Sequence, residues 1–461
     1  MSLSLAEAMR LASKGGAADG LRRRLIAACA TLATVPVILA VGVLAVYEQG
    51  WRGPAFELEF LRHPEPAAGA VTALALFAVP LILLACESSR VGSVARNARF
   101  RAMRAAGATM HDVRRVVVVE TVVLASMGAL GGVPLSLCLW WVLGGLRVSG
   151  AALLPDGVWP QPWHVLLAVL VVPATAAGLA PFAVRRGQVG VAVQGSRGQG
   201  FSPWRPVALL TVGALALVGV FVGLGDGGVM HVLVGVLVVL GSLFLTLGLA
   251  GAAPFASRLV GGQLVRRGGA VAVLAGRGMR ATPDLAGRAG AGLVMVGLIA
   301  GVVASLGGSM RADLARMVAQ GYTAAGGDPD FYLVPLRLGE IMIVIAATLG
   351  VLGLFIAVAE HVAVRSASLV RHLASGVPLR TLRTVMVVEV TLPLTATVLV
   401  SMAVASAGAS LLLVVAGQPL QTNWLLLGAL VVVLTAGTAG VAWLGSGRIR
   451  GCDDVWALRD R

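Results

Sequence analysis

The sequence predicts an all-α integral membrane protein, and three observations support this prediction. The 461 residues are 58% hydrophobic and only 12% charged, with a mean hydropathy of +0.90, well outside the range of ordinary soluble domains. Apolar runs of membrane-spanning length recur along the whole chain. The basic residues, all arginine apart from Lys14, lie in short clusters between those runs, as orientation in a membrane requires.

Ten apolar runs are long enough to cross a bilayer as helices, since a helix rises about 1.5 Å per residue and the hydrocarbon core is about 30 Å thick. The third and ninth runs are longer than this, which predicts helices that tilt or extend past the membrane. The ten predicted spans are 25–47, 67–86, 117–145, 163–184, 206–224, 231–253, 289–308, 341–359, 386–416 and 424–445.

The distribution of arginine orients these spans. If the N-terminus is cytoplasmic, 30 of the 36 lysine and arginine residues lie on the inner side and only 6 on the outer side. Basic residues concentrate on the cytoplasmic side of membrane proteins, so both termini are predicted to be cytoplasmic in a multi-pass protein of the cell membrane. The same distribution explains the net charge of +15 without nucleic acid, because no aromatic side chains interleave with the basic clusters for base stacking.

Two polar islands, Glu87–Glu120 and Glu360–Glu389, interrupt the apolar pattern on the predicted cytoplasmic side. In each island a glycine lies thirteen residues before the closing glutamate, and an arginine lies six residues before it. The spacing predicts a short amphipathic helix, a turn at the glycine and then a long helix. The matching residues are Gly107, Arg114 and Glu120 in the first island and Gly376, Arg383 and Glu389 in the second island.

The repeated islands predict a 4+2+4 arrangement of ten transmembrane helices. Six crossings separate the first span from the seventh, so spans one to four and seven to ten are expected to be parallel repeats about a pseudo-two-fold axis along the membrane normal. The predicted domains are a first four-span half at 1–186, a linker plus two-span hairpin at 187–260, and a second four-span half at 261–461.

The acidic residues that bound the islands are predicted at helix ends near the inner membrane interface. Two of them, Glu120 and Glu389, are expected to open long helices, where a carboxylate interacts favourably with the helix dipole. The four predicted helix-end acidic residues are Glu87, Glu120, Glu360 and Glu389.

The sequence contains no pattern that predicts an enzyme. The single lysine lies in the segment ASKGG rather than in a phosphate-binding GxxxxGK[ST] loop, and HExxH, GxSxG and CxxC motifs do not occur. Six scattered histidines lack metal-ligand spacing. We therefore predict no catalytic, cofactor-binding or metal site. The interiors of the apolar runs also lack charged residues, which disfavours an ion-coupled secondary transporter.

The segment FRAMRAAGAT at Phe100–Thr109, followed by Val113, Arg114 and Glu120, resembles the signature of FtsX-like permeases of ABC transporters, the MacB/FtsX-type superfamily. The second island departs from this signature. Leu373 lies where the first island has Arg104, and Val377-Pro378 replaces Ala108-Thr109. The resemblance extends over spans one to four and seven to ten, and the ten-span layout is similar to that of the two-repeat members.

The resemblance implies a permease subunit driven by a separate cytoplasmic ABC ATPase, present in two copies, which binds the ATP and Mg itself. It also implies export, or mechanical transmission at the outer membrane face, of a peptide, lipid or lipoprotein-like substrate. Only the small outer loops 48–66 and 307–340 are available for an outside partner. The predicted ATPase-coupling surface consists of Arg104, Gly107, Arg114, Arg371, Gly376 and Arg383.

Two other function classes remain open at this point. An ion-coupled secondary transporter would work without an ATPase and would depend on an ion gradient. A non-transporting transmembrane signalling scaffold would transmit a conformational change to an outside protein through the small loops. Binding of a soluble ATPase distinguishes both classes from the permease.

Overall fold

A computed structural model of the chain describes residues 17–49, 61, 64–88, 102–103, 105–148, 151–155, 157–185, 204–223, 228–283, 290–320, 330–415 and 417–446. These residues are almost entirely helical. Two short strands, β1 (Arg147–Val148) and β2 (Ala151–Ala152), also pair as an antiparallel ribbon. The helices are α1 (Ala17–Glu48), α2 (Pro64–Ser88), α3 (Met110–Gly145), α4 (Pro162–Arg185), α5 (Trp204–Gly223), α6 (Gly228–Arg267), α7 (Ala270–Ala281), α8 (Ala291–Ala319), α9 (Asp330–Ala374), α10 (Leu379–Val415) and α11 (Trp424–Ser446).

Each predicted span overlaps one helix, and within the described residues eight helices contain a stretch long and apolar enough to cross a membrane. The apolar stretches of α4 and α5 are shorter, at Pro162–Gly178 and Trp204–Gly219. The prediction of an all-helical, multi-pass membrane protein is therefore confirmed, and the count of ten spans stays a prediction. The additional helix α7 is a short amphipathic helix inside the predicted cytoplasmic segment 254–288.

The predicted outer loop 307–340 is largely helical where the structure describes it. Helix α8 continues to Ala319 and α9 begins at Asp330, so the two helices together extend about six turns beyond the predicted spans 289–308 and 341–359. An ion pair between Arg311 Nη2 and Glu340 Oε1, 2.6 Å apart, joins the two helices there. The ion pair stabilises the two charged side chains on these helix extensions. The periodicity of apolar residues alone does not predict this contact.

Packing divides the chain into two compact units. The first contains Met1–Ser202, Val212–Leu243 and Ala324–Gly339, and the second contains Pro203–Thr211, Phe244–Thr323 and Glu340–Arg461. The domain boundaries predicted from the sequence, 1–186, 187–260 and 261–461, remain a prediction, and the central part of the predicted linker lies outside the described residues.

In the first unit, α1 and α3 pack closely through small residues. A side chain at Gly128 would collide with the backbone carbonyl of Ala27, and one at Gly132 would collide with Thr34. Thr31 Oγ1 also donates a hydrogen bond of 2.9 Å to the carbonyl of Gly128. Small residues stabilise helix pairs in membranes because they allow the backbones to approach closely.

In the second unit, α8 and α10 pack together in a similar way. Here the glycines lie on α8, the first helix of the predicted repeat, whereas in the first unit they lie on α3, the third helix. Gly297 of α8 packs against Ser401 of α10, and Gly301 packs against the carbonyl of Met402. The hydroxyls of Ser305 and Ser406 extend this contact at 2.7 Å. Each unit thus joins the first and third helices of its predicted repeat, through different residues.

Candidate functional site

Both polar islands contain the same backbone turn at the predicted glycine. Gly107 has φ +93° and Gly376 has φ +86°, a conformation that glycine adopts without steric strain. After each glycine a backbone N–H donates to the carbonyl five residues earlier, which is the Schellman arrangement that ends a helix. These hydrogen bonds are Ala108 N to Met103 O at 3.0 Å and Val377 N to His372 O at 3.1 Å.

The long helix after each turn begins in a different way. In the first island, Thr109 N donates to Asp112 Oδ2 at 3.0 Å, and Asp112 N donates to Thr109 Oγ1 at 3.3 Å, forming a capping box. In the second island Pro378 takes the position of Thr109, and its carbonyl accepts from Leu382 N at 3.2 Å. Proline has no N–H to satisfy and suits the first turn of a helix, so the Val377-Pro378 departure preserves the turn.

Replacing either turn glycine with alanine should lower stability by about 1 kcal/mol, because the new Cβ disfavours a positive φ. Neither position has neighbouring atoms within 4 Å of that Cβ, so the cost comes from the backbone alone. Thermal unfolding in detergent should show Tm lower by roughly 1–2 °C for Gly107→Ala and Gly376→Ala. Asparagine at either position should cost less, since it tolerates this conformation. Gly144→Ala, at an equally open helical position, is the control and should not lower Tm.

The first closing glutamate, Glu120, is buried in an ion pair rather than placed at a helix start. Helix α3 begins at Met110, so Glu120 lies ten residues inside it and the helix-dipole prediction is wrong. Its side chain is only 6% exposed and accepts a short hydrogen bond from Arg22 of α1, whose side chain is 2% exposed. Arg23 Nε lies 3.8 Å from the same carboxylate oxygen. These contacts tie α3 to α1.

The second closing glutamate, Glu389, occupies the same position in α10, ten residues after Leu379, and is also not at a helix end. Its Oε1 accepts a hydrogen bond of 2.5 Å from Arg365 Nη1 of α9 and one of 3.3 Å from Thr282 Oγ1, just after α7. His361 Nε2 of α9 lies 3.7 Å from the same oxygen. The carboxylate therefore ties α10 to α9 and to the end of α7.

Helix α7 presses its backbone directly on this buried carboxylate. A Cβ at Gly278 would lie 2.5 Å from Glu389 Oε2, so a larger residue there would require the carboxylate to move. Two positions earlier, Gly276 packs against Gly261 of α6 so closely that neither has room for a side chain. The buried face of α7 consists of Ala275, Gly276, Gly278 and Met279. A stripe of small residues thus fixes α7 between α6 and α10.

The two other predicted helix-end acidic residues differ from each other. Glu87 is the penultimate residue of α2 as the structure describes it, its side chain lies outside the described residues, and its predicted place at a helix end stays a prediction. Glu360 lies fourteen residues before the end of α9, because that helix continues far past its apolar core. The helix-end prediction for Glu360 is therefore wrong.

The structure separates the predicted coupling residues into three groups. Gly107, Gly376 and Arg371 are exposed at or beside the two turns. Arg104 and the side chain of Arg114 lie outside the described residues, although the backbone of Arg114 belongs to α3. Arg383 is buried, with 9% exposure, and its guanidinium carbon lies 5.5 Å from the centre of the Trp443 ring. The prediction that Arg383 lies on an exposed surface is wrong.

Sequence reasoning missed the basic partners of the two buried carboxylates. Arg22 and Glu120 are 98 residues apart, and the arginine cluster at 22–24 is explained equally well by membrane orientation. The available signal was a glutamate at the fourth residue of both long apolar runs, 117–145 and 386–416. Within the described ranges, no three histidine, cysteine, aspartate or glutamate side chains lie close enough together to hold a metal ion.

Comparison with known families gives one match. Residues 68–187 match the model of the FtsX-like permease C-terminal family, and this stretch includes α2, the first island, α3 and α4. The resemblance identified in the first island is thereby confirmed over these residues. No curated protein and no solved structure matches the chain.

Proposed function

We propose that this chain, with its FtsX-like permease domain at residues 68–187, is the membrane subunit of an ABC transporter driven by a separate cytoplasmic ATPase. The family match over the first island is the observation that carries this proposal. The exposed turn at Gly107 supports it, because a rigid turn between two helices offers a soluble partner a firm contact. The ATPase supplies ATP and Mg binding, and two copies engage the two islands.

The buried ion pairs provide a route for movement from the turns into the helices. A push on the Gly107 turn acts on the start of α3, and the Glu120–Arg22 pair passes that movement to α1. A push on the Gly376 turn acts on α10, and Glu389 passes it to α9 and α7. Buried charge pairs resist separation because each partner would otherwise be left uncompensated.

We propose the 4+2+4 layout of ten spans for this subunit, with both termini cytoplasmic and two halves related by a pseudo-two-fold axis along the membrane normal. The matching positions of turn, helix start and buried glutamate in the two islands support this arrangement. The output is export, or mechanical transmission at the outer membrane face, with a peptide, lipid or lipoprotein-like substrate.

A second candidate, an ion-coupled transporter, gains one observation from the structure. Glu120 and Glu389 are buried inside helices that are candidate membrane spans, where ionisable residues often bind a coupling ion. Both carboxylates already contact arginine, which favours a structural tie between helices over ion binding. Activity that persists without any ATPase and follows an ion gradient would favour this candidate.

Co-purification tests the proposed coupling directly. A soluble ABC ATPase should purify with the wild-type chain, and the double charge reversal Arg104→Glu and Arg114→Glu should reduce its recovery at least about tenfold, equivalent to 1.4 kcal/mol. Arg147→Glu, an exposed arginine at the opposite end of α3, is the matched control and should leave recovery unchanged. Equal recovery with both variants, or no ATPase at all, would contradict the proposal.

A further inference from the structure

Within the part of the chain that the structure describes, Arg383 is a buried cation without a carboxylate partner. The residue is 9% exposed, and its Nε atom is buried with no hydrogen-bond acceptor. Among the described residues no carboxylate oxygen lies within 4.0 Å of its guanidinium, and Glu389, six residues later in α10, is held by Arg365. The guanidinium of Arg383 stacks over the ring of Trp443 in α11.

A guanidinium in this position is well placed to bind an anion, because its Nε is buried with no hydrogen-bond acceptor. Taking a charged group out of water is costly unless it is paired, and stacking on an aromatic ring contributes only about 0.5–2 kcal/mol. Arginine is well suited to phosphate, because its planar donors match two phosphate oxygens at once. The chemistry that would complete the site is therefore a phosphate group.

The position of Arg383 in the two helices indicates where this phosphate comes from. Arg383 lies three residues before the predicted apolar run 386–416, and Trp443 lies two residues inside the end of Trp424–Gly445. Three residues of helix correspond to about 4.5 Å, so the guanidinium is expected near the level of the phospholipid headgroups. Trp443 is 52% exposed, as expected of a tryptophan at the membrane interface.

We propose that Arg383 and Trp443 form a binding site for the phosphate of an anionic phospholipid, at the membrane boundary between α10 and α11. Basic pockets between helices on the cytoplasmic side are suited to anionic headgroups. The site is independent of the ATPase contact, because Arg383 is buried away from the exposed Gly376 turn.

Native mass spectrometry of the full chain from nanodiscs tests this site. Nanodiscs of phosphatidylcholine alone are compared with nanodiscs that also contain phosphatidylglycerol, and retained lipid is counted after release. Wild-type protein should retain one phosphatidylglycerol that Arg383→Gln retains roughly tenfold less well, the loss expected from a charge-assisted hydrogen bond. Arg380→Gln, an exposed arginine three residues earlier in α10, is the control and should retain it like wild type.

A second variant and a phosphate control test the same site independently of whether Arg383→Gln folds. Trp443→Leu removes the stacking ring at a half-exposed position and should weaken retention even if Arg383→Gln does not fold. Inorganic phosphate added to phosphatidylcholine nanodiscs should not raise Tm, whereas phosphatidylglycerol should. Equal retention in wild type and Arg383→Gln, or a Tm rise with phosphate alone that matches the lipid, would overturn the proposed lipid site.

Discussion

Replacing Arg22 with methionine should destabilise the protein by about 3–5 kcal/mol, because it leaves a buried carboxylate without its main cation. Methionine keeps much of the side-chain length but removes the charge, so Glu120 would remain buried as an uncompensated carboxylate. The side chains of these two residues are 2% and 6% exposed, so neither can reach water without a rearrangement of α1 and α3. Denaturant titration in mixed micelles measures the loss as a lower midpoint.

Arg23 could reduce this loss, because its Nε already lies 3.8 Å from Glu120 and its side chain is 27% exposed. We therefore expect the lower end of the range for Arg22→Met and the upper end for Arg22→Met combined with Arg23→Met. The exposed neighbour Arg24 supplies the control, and Arg24→Met should change stability by less than about 0.5 kcal/mol.

A double variant distinguishes the energy of the Arg22–Glu120 ion pair from the cost of leaving Glu120 buried without a cation. Arg22→Met with Glu120→Leu removes both charges and should recover most of the stability, since an apolar pair of similar volume is often as stable as a buried ion pair. If the double variant were as unstable as Arg22→Met alone, the ion pair would not be the cause of the loss. Retained ATPase binding in a stable double variant would show that the pair is not needed for docking.

The sequence predicted the helices and turns well because their causes are local. Each span follows from its own apolar composition, and each turn follows from one glycine whose conformation other residues resist. The same local reasoning misplaced Glu120 and Glu389. Their helices begin seven residues earlier than the predicted apolar runs 117–145 and 386–416, because Thr109 with Asp112, and Pro378, start the helix in polar sequence.

Long-range pairings were beyond reach of a single sequence. Glu120 pairs with Arg22 because α1 packs closely on α3. Small residues such as Gly128 allow this close packing, and the sequence alone does not show which helices will meet. Arg383 had the same position relative to its glutamate as Arg114, and the sequence offered no reason to treat it differently. Its burial follows from Trp443, sixty residues away on α11.

The structure also changes how the two islands differ. Sequence comparison suggested that the second island is a weakened copy of the first, yet its turn has the same hydrogen bonds and a glycine of similar φ. The difference lies further inside, in the helix that supplies the cation. Glu120 is held by the helix that opens its predicted repeat, whereas Glu389 is held by α9, the helix that leads into the turn.

Replacing Arg365 with methionine tests this difference and should cost about 2–3 kcal/mol, less than Arg22→Met. Glu389 remains buried, with 4% exposure, but Thr282 and His361 continue to contact its carboxylate. Because Thr282 follows α7 directly, a displaced carboxylate should also loosen α7. The global loss is measured as for Arg22→Met, with Arg380→Met as the exposed control.

Limited trypsin digestion measures local opening of α7 separately from the global stability of the protein. Arg277 and Arg280 are exposed on this helix, and cleavage there requires local opening of the backbone. Under native conditions Arg365→Met should be cut at these arginines about tenfold faster than wild type, whereas Arg22→Met should be cut there at the wild-type rate. Faster cleavage in both variants would mean that α7 reports global unfolding. Unchanged cleavage in Arg365→Met would show that Glu389 does not hold α7, and the second island would then act on α9 alone.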